Sequence, residues 1–339
     1  MAPLMLMVAF TVFLLAPWMS RVDLHDPVLT ALCLSNTAVW WIVLWWSLHH
    51  LTFKVGSLFR SDRGHALPQA AASGLRMTVL YPTCNDFQWQ ACHSCVSQDY
   101  SAAQYQVVIC DDSSSESYRK RIDEFQRTFP EVIVLRRNRR QGFKAGNLNH
   151  ALASAQVTGE WLIIVDADQI LPQHYVSQFA GFVAGLPDRV GYAQARQESD
   201  HVLPTSSSHF QQALGREIDI FYSHDLALRS EFGFMPLVGH GAALRRTAWQ
   251  QVPFPEVVSE DFAMSLEMRN RDLVGAYAPE VQAWESFPPS FGAFLIRLRK
   301  FAGGTAELYR KHLPAFLFGP ATFTEKLDLL MMIGWYALM

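Results

Sequence analysis

Between Met77 and Gln169 the chain alternates strand and helix patterns with little between them, and two of the strands end in paired acids. MTVLYPT at 77–83 reads as a strand, CNDFQWQACHSCVSQ as a helix and YQVVICDDSS at 105–114 as a second strand. In ESYRKRIDEFQRTF the apolar residues Tyr118, Ile122, Phe125 and Phe129 recur at helical spacing. EVIVLRRN, GNLNHALASAQ and WLIIVDADQ continue as strand, helix and strand. This rhythm predicts an α/β domain with a mostly parallel sheet and helices on both faces. Such sheets take ligands at the carboxyl ends of their strands. Asp111 with Asp112, and Asp166 with Asp168, both fall there. Downstream, VGYAQARQES reads as a strand, HFQQALGREIDIFYSHDLALRS as one long helix, LVGHGAALRR as a strand entering a helix and EDFAMSLEMRN as a helix. The first strand leads into PTCND and not a GxGxxG turn, which disfavours a dinucleotide-binding fold.

Charged residues make up 17% of the chain, below the roughly 25% usual for soluble domains. A net charge of -3 gives no bulk electrostatic case for nucleic-acid binding. The deficit lies at the two ends. Val28 to Ser47 holds no charged residue and carries Trp40, Trp41, Trp45 and Trp46, a length that suits a bilayer-spanning helix. Ala2 to Ser20 is also uncharged and lacks the basic start and small-residue cleavage site of a secretory leader, so residues 1–52 are expected to hold two spans. Lys54, Arg60 and Arg63 follow the second span and favour the cytoplasm for what comes after. Residues 53–75, with SDRGHALPQAAASG, read as a linker and residues 76–290 as the folded domain. FGAFLIRLRKFAGGTAELYRKH interleaves apolar and basic residues, so 291–320 is expected to rest in the lipid headgroup layer. Leu329 to Met339 is uncharged but too short to span, so 321–339 is expected to open a further membrane helix that is cut short. A packed amphipathic terminus is the alternative. The five cysteines form no regular framework, and the Cys92–Cys95 pair has no second pair to complete a zinc site, which fits a reducing compartment.

Two carboxylates held together without a counter-ion repel, and one must take up a proton. A divalent cation removes the conflict, and hard oxygen ligands suit Mg²⁺ or Mn²⁺. Mg²⁺ commonly takes one or two protein carboxylates and completes its shell with water and substrate phosphates. Asp166 and Asp168, spaced by Ala167 at a strand end, therefore predict a metal–diphosphate clamp. Arg136, Arg137, Arg139, Arg140 and Lys144 precede a helix beginning near Ala145, a setting that suits a diphosphate; for the arginines a solvated basic loop is the alternative. In VSEDFAMSL, Ser259 reads as an N-cap with Glu260 and Asp261 in the first helical turn. Those acids either complement the helix dipole or serve as a general base.

PTCND at 82–86, VICDDSSS at 108–115, GFKAGNLNHAL at 142–152, VDAD at 165–168 and SED at 259–261, in that order, resemble the membrane-bound family-2 glycosyltransferases, the group of cellulose, chitin and hyaluronan synthases. The resemblance covers about Met77 to Gly304. It implies a GT-A-like cytoplasmic domain with a Rossmann-like mixed sheet, flanked by transmembrane helices. It also implies a UDP-sugar donor, UDP-glucose first, and a β-linked polysaccharide grown on a saccharide or lipid-linked acceptor. By the same resemblance Thr83 and Asp86 lie by the nucleotide, Asp111 or Asp112 contacts the base, and Lys144 approaches the diphosphate. Asp166 and Asp168 serve the metal, Asp168 the more directly, and Asp261 is the base with Glu260 beside it. His240, in GHGAALRR, becomes an acceptor contact, with Gln194 in the same groove. One part departs: Arg297, Lys300 and Phe301 stand where processive members carry Gln, Arg and Trp of QxxRW, which opens the alternative of a single-addition enzyme. A membrane protein that binds the nucleotide sugar without catalysis is the alternative of another class.

Overall fold

The computed structural model describes residues 26–58, 74–198, 208–285 and 287–338, in two compact units, Met1–Asp62 and Arg63–Met339. The first apolar run and residues 59–73 of the expected linker lie outside the described residues, and the linker's first residues continue the helix before it. In the first unit, helix α1 (Pro27–Leu58) begins at Asp26, whose Oδ1 accepts from the backbone N–H of Val28 and of Leu29 at 2.8 and 3.1 Å. Thr37, Ser47 and Thr52 turn their hydroxyls onto carbonyls one turn back, so they add no unpaired polar group to the helix surface. Its stretch Pro27–Thr52 spans 26 residues at mean hydropathy 1.7, long and apolar enough by composition to cross a membrane.

The second unit is built on β1 (Met77–Thr83), α2 (Trp89–Val96), β2 (Tyr105–Asp111), α3 (Glu116–Thr128), β3 (Ile133–Arg136), α4 (Phe143–Leu152), β4 (Trp161–Ile164) and α5 (Tyr175–Ala184). Then come β5 (Val190–Glu198), α6 (His209–Ile220), a π-helical segment (Phe221–Leu226), α7 (Ala227–Phe232), β6 (Ala242–Arg245), α8 (Arg246–Gln251), α9 (Glu260–Asn270) and β7 (Val274–Trp284). Helices α10 (Phe291–Lys311), α11 (Leu313–Phe318) and α12 (Phe323–Leu338) follow. The strands form one mixed sheet in the order β3-β2-β1-β4-β6-β5-β7. Pairs β1–β2, β1–β4, β2–β3 and β5–β7 are parallel, and β6 runs antiparallel to both its neighbours.

Side chains alternate across a strand, so the central strands feed two cores. Met77, Val79 and Tyr81 pack with Ile109, Phe125 and Ile163 on one face; Leu80 packs with Val108, Leu148, Leu152 and Ile164 on the other. Both faces being covered is why these strands read as unbroken hydrophobic runs. Parallel register brings Thr83 beside Asp111, and Asp111 beside Arg136, at one edge of the sheet. The sequence pattern missed α5 and β7, and the long helix expected from His209 is broken by the π segment, where the Tyr277 hydroxyl donates to the carbonyl of Tyr222.

A third core gathers Phe234, Leu266, Leu308, Phe316, Leu329 and Ile333 from the chain around α7, α9, α10, α11 and α12. Leu329 and Ile333, expected from sequence to open a membrane helix, are buried here against protein. Two ion pairs fasten the same helix: Arg269 to Glu325 at 2.7 Å and Arg229 to Asp328 at 2.8 Å.

Candidate active site

The carboxyl ends of β1, β2 and β4 open on a cavity of about 670 Å³ bordered by Thr83, Asp86, Asp112, Lys144, Asp166 and Asp168. After β1 the chain turns at Asn85, whose φ of 65° is left-handed. Asp86 Oδ1 fixes the turn by accepting from Thr83 Oγ1 at 2.8 Å and from Cys84 N at 2.6 Å. Asn85 Oδ1 accepts from the backbone N–H of Ser114 and Ser115, which joins PTCND to DDSSS as one wall.

The acids of β2 bear on the basic loop. Asp111 is buried and meets Arg136 Nε at 2.6 Å, while Asp112 is held by Arg137 Nε and Nη2 at 2.8 and 2.6 Å. Both arginines, expected to lie by a diphosphate, pair with the neighbouring acids; strand register sets Arg136 beside Asp111, and Arg137 still lines the cavity. Only Asp112 of that pair borders the cavity; Asp111 lies behind it. Arg140 also lines the cavity and donates to Cys84 Sγ.

Gly142 at φ 69° and Phe143 at φ 50° turn the chain into α4, which starts earlier than expected and carries Lys144 in its first turn. A side chain at 142 would put its Cβ 2.5 Å from Glu256. Lys144 Nζ donates to Asp166 Oδ1 and to the carbonyl of Gly239, the latter at 3.0 Å. Burial pulls the Lys144 ammonium down, but the Asp166 and Glu260 charges outweigh it and raise its pKa. Burial pushes Asp166 up, and the neighbouring Lys144 ammonium and His240 imidazole more than reverse this, holding it at about 2. Asp168 is raised by burial and then by the Asp166 charge. Asp166 is thus compensated by Lys144, while burial and the Asp166 charge leave Asp168 raised. Among the described residues no cluster of three His, Cys, Asp or Glu forms a cage. Two carboxylates on a cavity fit a hard cation that draws its remaining ligands from substrate and water.

His240 sits between Gly239 at φ 80° and Gly241 at φ 59°. A Cβ on Gly239 would lie 2.7 Å from Asp261 Oδ2, so only glycine lets that carboxylate come so close to the loop. Gln194, expected in the acceptor groove, is wholly buried behind it. Its amide donates to the carbonyls of His240 and Gly241 at 2.9 and 3.1 Å and accepts from Val238 N at 2.9 Å, so it holds the loop from behind. His240 is itself buried, with Nε2 3.5 Å from Glu285 Oε2 and 4.0 Å from Asp166 Oδ2.

Glu260 and Asp261 open α9 as the sequence pattern expects, but the Ser259 side chain makes no cap bond. Asp261 Oδ1 accepts from Phe262 N at 2.8 Å instead. Burial and then the Asp261 charge push Glu260 up to about 7, and burial raises Asp261. Lys300 of α10 acts on Glu260 as a weaker opposing charge. Arg297 meets Glu285 Oε1 at 3.3 Å and lies over the Phe301 ring at 5.5 Å. Sequence reasoning missed Glu285, since it went without β7, the strand that delivers it. It also passed over Asn147, buried inside KAGN, which donates to the carbonyl of Cys110 at 2.7 Å and ties α4 to β2. A second cavity of about 430 Å³, lined by Arg189, Arg269 and Glu325 among others, carries none of these acids.

A model of the glycosyl transferase family group 2 matches residues 161–339, just over half of the chain. Among solved structures, the chain is similar to the mannosyltransferase PcManGT from Pyrobaculum calidifontis, in complex with GDP-Man and Mn²⁺, at 18% identity and a TM-score of 0.60. The match covers 90% of this chain and 80% of that one. It is also similar to residues 1–349 of S. aureus TarS in complex with UDP-GlcNAc, at 15% identity over 78% of this chain and 72% of that one. The TM-score to the latter is 0.49, and the likeness to the former is one of fold, the GT-A fold.

Proposed function

The chain belongs to the glycosyl transferase family group 2, and we propose that it moves a sugar from a UDP-sugar, UDP-glucose first, onto a growing β-linked polysaccharide with inversion at the sugar carbon. The observation that carries this reading is convergence. Lys144, Asp166 with Asp168, and Glu260 with Asp261 come from three separate segments; Lys144, Asp166 and Asp168 border the cavity, and Glu260 and Asp261 act electrostatically on Lys144. Its size is that of a small-molecule site.

In this reading Thr83, Asp86 and Asp112 border the nucleotide, and Lys144 faces the diphosphate. Asp166 and Asp168 would hold Mg²⁺ or Mn²⁺, which when bound draws negative charge from the diphosphate. The Mn²⁺ in the mannosyltransferase complex supports that choice. Asp261 takes the proton of the acceptor hydroxyl as its oxygen attacks C1 from the side opposite the diphosphate; the new C1–O bond forms as the old one breaks. Glu260 keeps a second negative charge beside the base. A cytoplasmic setting for the catalytic unit belongs to the same reading, supported by Lys54, Arg60 and Arg63 after the apolar run, and the exposed Phe291 and Ile296 of α10 would meet lipid.

A single-addition enzyme is the second reading, favoured by one observation. Arg297, where processive members carry Gln, is engaged in an ion pair with Glu285. Labelled UDP-glucose, UDP-galactose, UDP-N-acetylglucosamine, UDP-glucuronate and GDP-mannose, offered to membranes holding the chain, separate the readings by product size. A polymer from one UDP-sugar supports the synthase; a product that stops at one added residue replaces it with the second reading. Donor binding without turnover would leave a nucleotide-sugar-binding protein.

A further inference from the structure

Glu285 is a buried carboxylate at the end of β7, at 7% exposure, and the reaction described above gives it no task. The preceding residue, Trp284, bridges to Ile170 just beyond the β4 acids, so the backbone there is pinned to the donor end of the sheet. Its two carboxylate oxygens face in different directions. Oε1 receives Arg297 Nη2 of α10 at 3.3 Å, and Oε2 lies 3.5 Å from His240 Nε2. The same imidazole nitrogen is 4.0 Å from Asp166 Oδ2. One side chain therefore connects a helix of the C-terminal region with the strand end that carries the donor acids. Arg297 is held from its other side by the Phe301 ring.

We propose that Glu285 is a positioning residue for sugar transfer, which by pairing with Arg297 and His240 together sets α10 and the 239–241 loop in register with Asp166. The role rests on the glycosyltransferase reading above. Glu285 is buried and Arg297 half-buried, so their pair is shielded enough from water to hold the two elements together. Removing either residue breaks the link between α10 and the 239–241 loop, and removing both breaks the same link once.

The test is a double-mutant cycle of E285Q, R297Q and E285Q/R297Q in the full chain. It reads the rate of transfer to acceptor, the rate of donor hydrolysis, donor Kd and thermal unfolding. Each single variant is expected to lower transfer on the order of 10-fold, and the double variant to lose no more than either single. Donor Kd stays unchanged, and the ratio of transfer to hydrolysis falls to the same extent in the singles and in the double. Losses that add in the double, an E285Q enzyme with normal transfer, or losses that only follow the unfolding temperature overturn the role. A wild-type chain that turns over no donor removes the glycosyltransferase reading and this role with it. Normal wild-type turnover with no coupling removes the positioning role only.

Discussion

Gly239 shows how much of the site depends on single residues. Its left-handed φ of 80° and the 2.7 Å between a built Cβ and Asp261 Oδ2 forbid any side chain there. Gly239→Ala is expected to displace the carboxylate and lower kcat on the order of 10-fold or more. Gly185→Ala, at a position with nothing within 4 Å, should leave kcat unchanged. Steady-state kinetics of the two variants checks this. Glu260, raised to about 7 by burial and by the Asp261 charge, gives a second expectation. A raised carboxylate pKa means the pair gains a proton as pH falls below neutrality. Activity should then rise with pH along an acid limb that ends near pH 7. Glu260→Gln removes the like charge beside Asp261 and should move that limb to lower pH; a kcat/KM profile that does not move contradicts the pairing. At this scale the acids were legible, because charge at the end of a hydrophobic strand stands out. The partners of Arg136 and Arg137 were not, because they depend on strand register, which only the folded sheet supplies. Nor was the burial of Gln194, which looks like any polar residue on a strand of alternating pattern.

Elements with a strong period were read well: β1 was expected with the bounds it has, and the helical spacing of Ile122 and Phe125 marked α3. What failed was β7, whose eleven residues alternate weakly and pass through Pro279, and with it went Glu285. The apolar run in α12 gave a composition but not its neighbours. Its buried ion pair, Arg229 with Asp328 at 1% and 3% side-chain exposure, joins a residue just after the π segment to one a hundred positions on. Asp328 Oδ2 also accepts from Phe234 N at 2.9 Å. Asp328→Ala removes the acid facing a buried guanidinium and the acceptor of a buried N–H, so it should cost about 3–5 kcal/mol. Arg229→Met combined with Asp328→Leu should cost less. Thermal unfolding of both variants tests whether α12 is fastened by charge, as the geometry has it, or by its apolar face alone.

For the molecule as a whole, the alternation of strands and helices was enough to place the donor acids at one end of a sheet, because parallel topology leaves no other place for them. The strand β6 was legible but its antiparallel direction was not, and that direction brings the His240 loop to the same end. The central claim is that a diphosphate-binding cavity bordered by Lys144, Asp166 and Asp168 stands beside a base, Asp261, whose charge acts on Lys144. The most direct measurement is calorimetric binding of the UDP-sugar donor alongside turnover in Asp261→Asn. The account predicts unchanged donor affinity with turnover reduced on the order of 100-fold or more. Full turnover in that variant would contradict it.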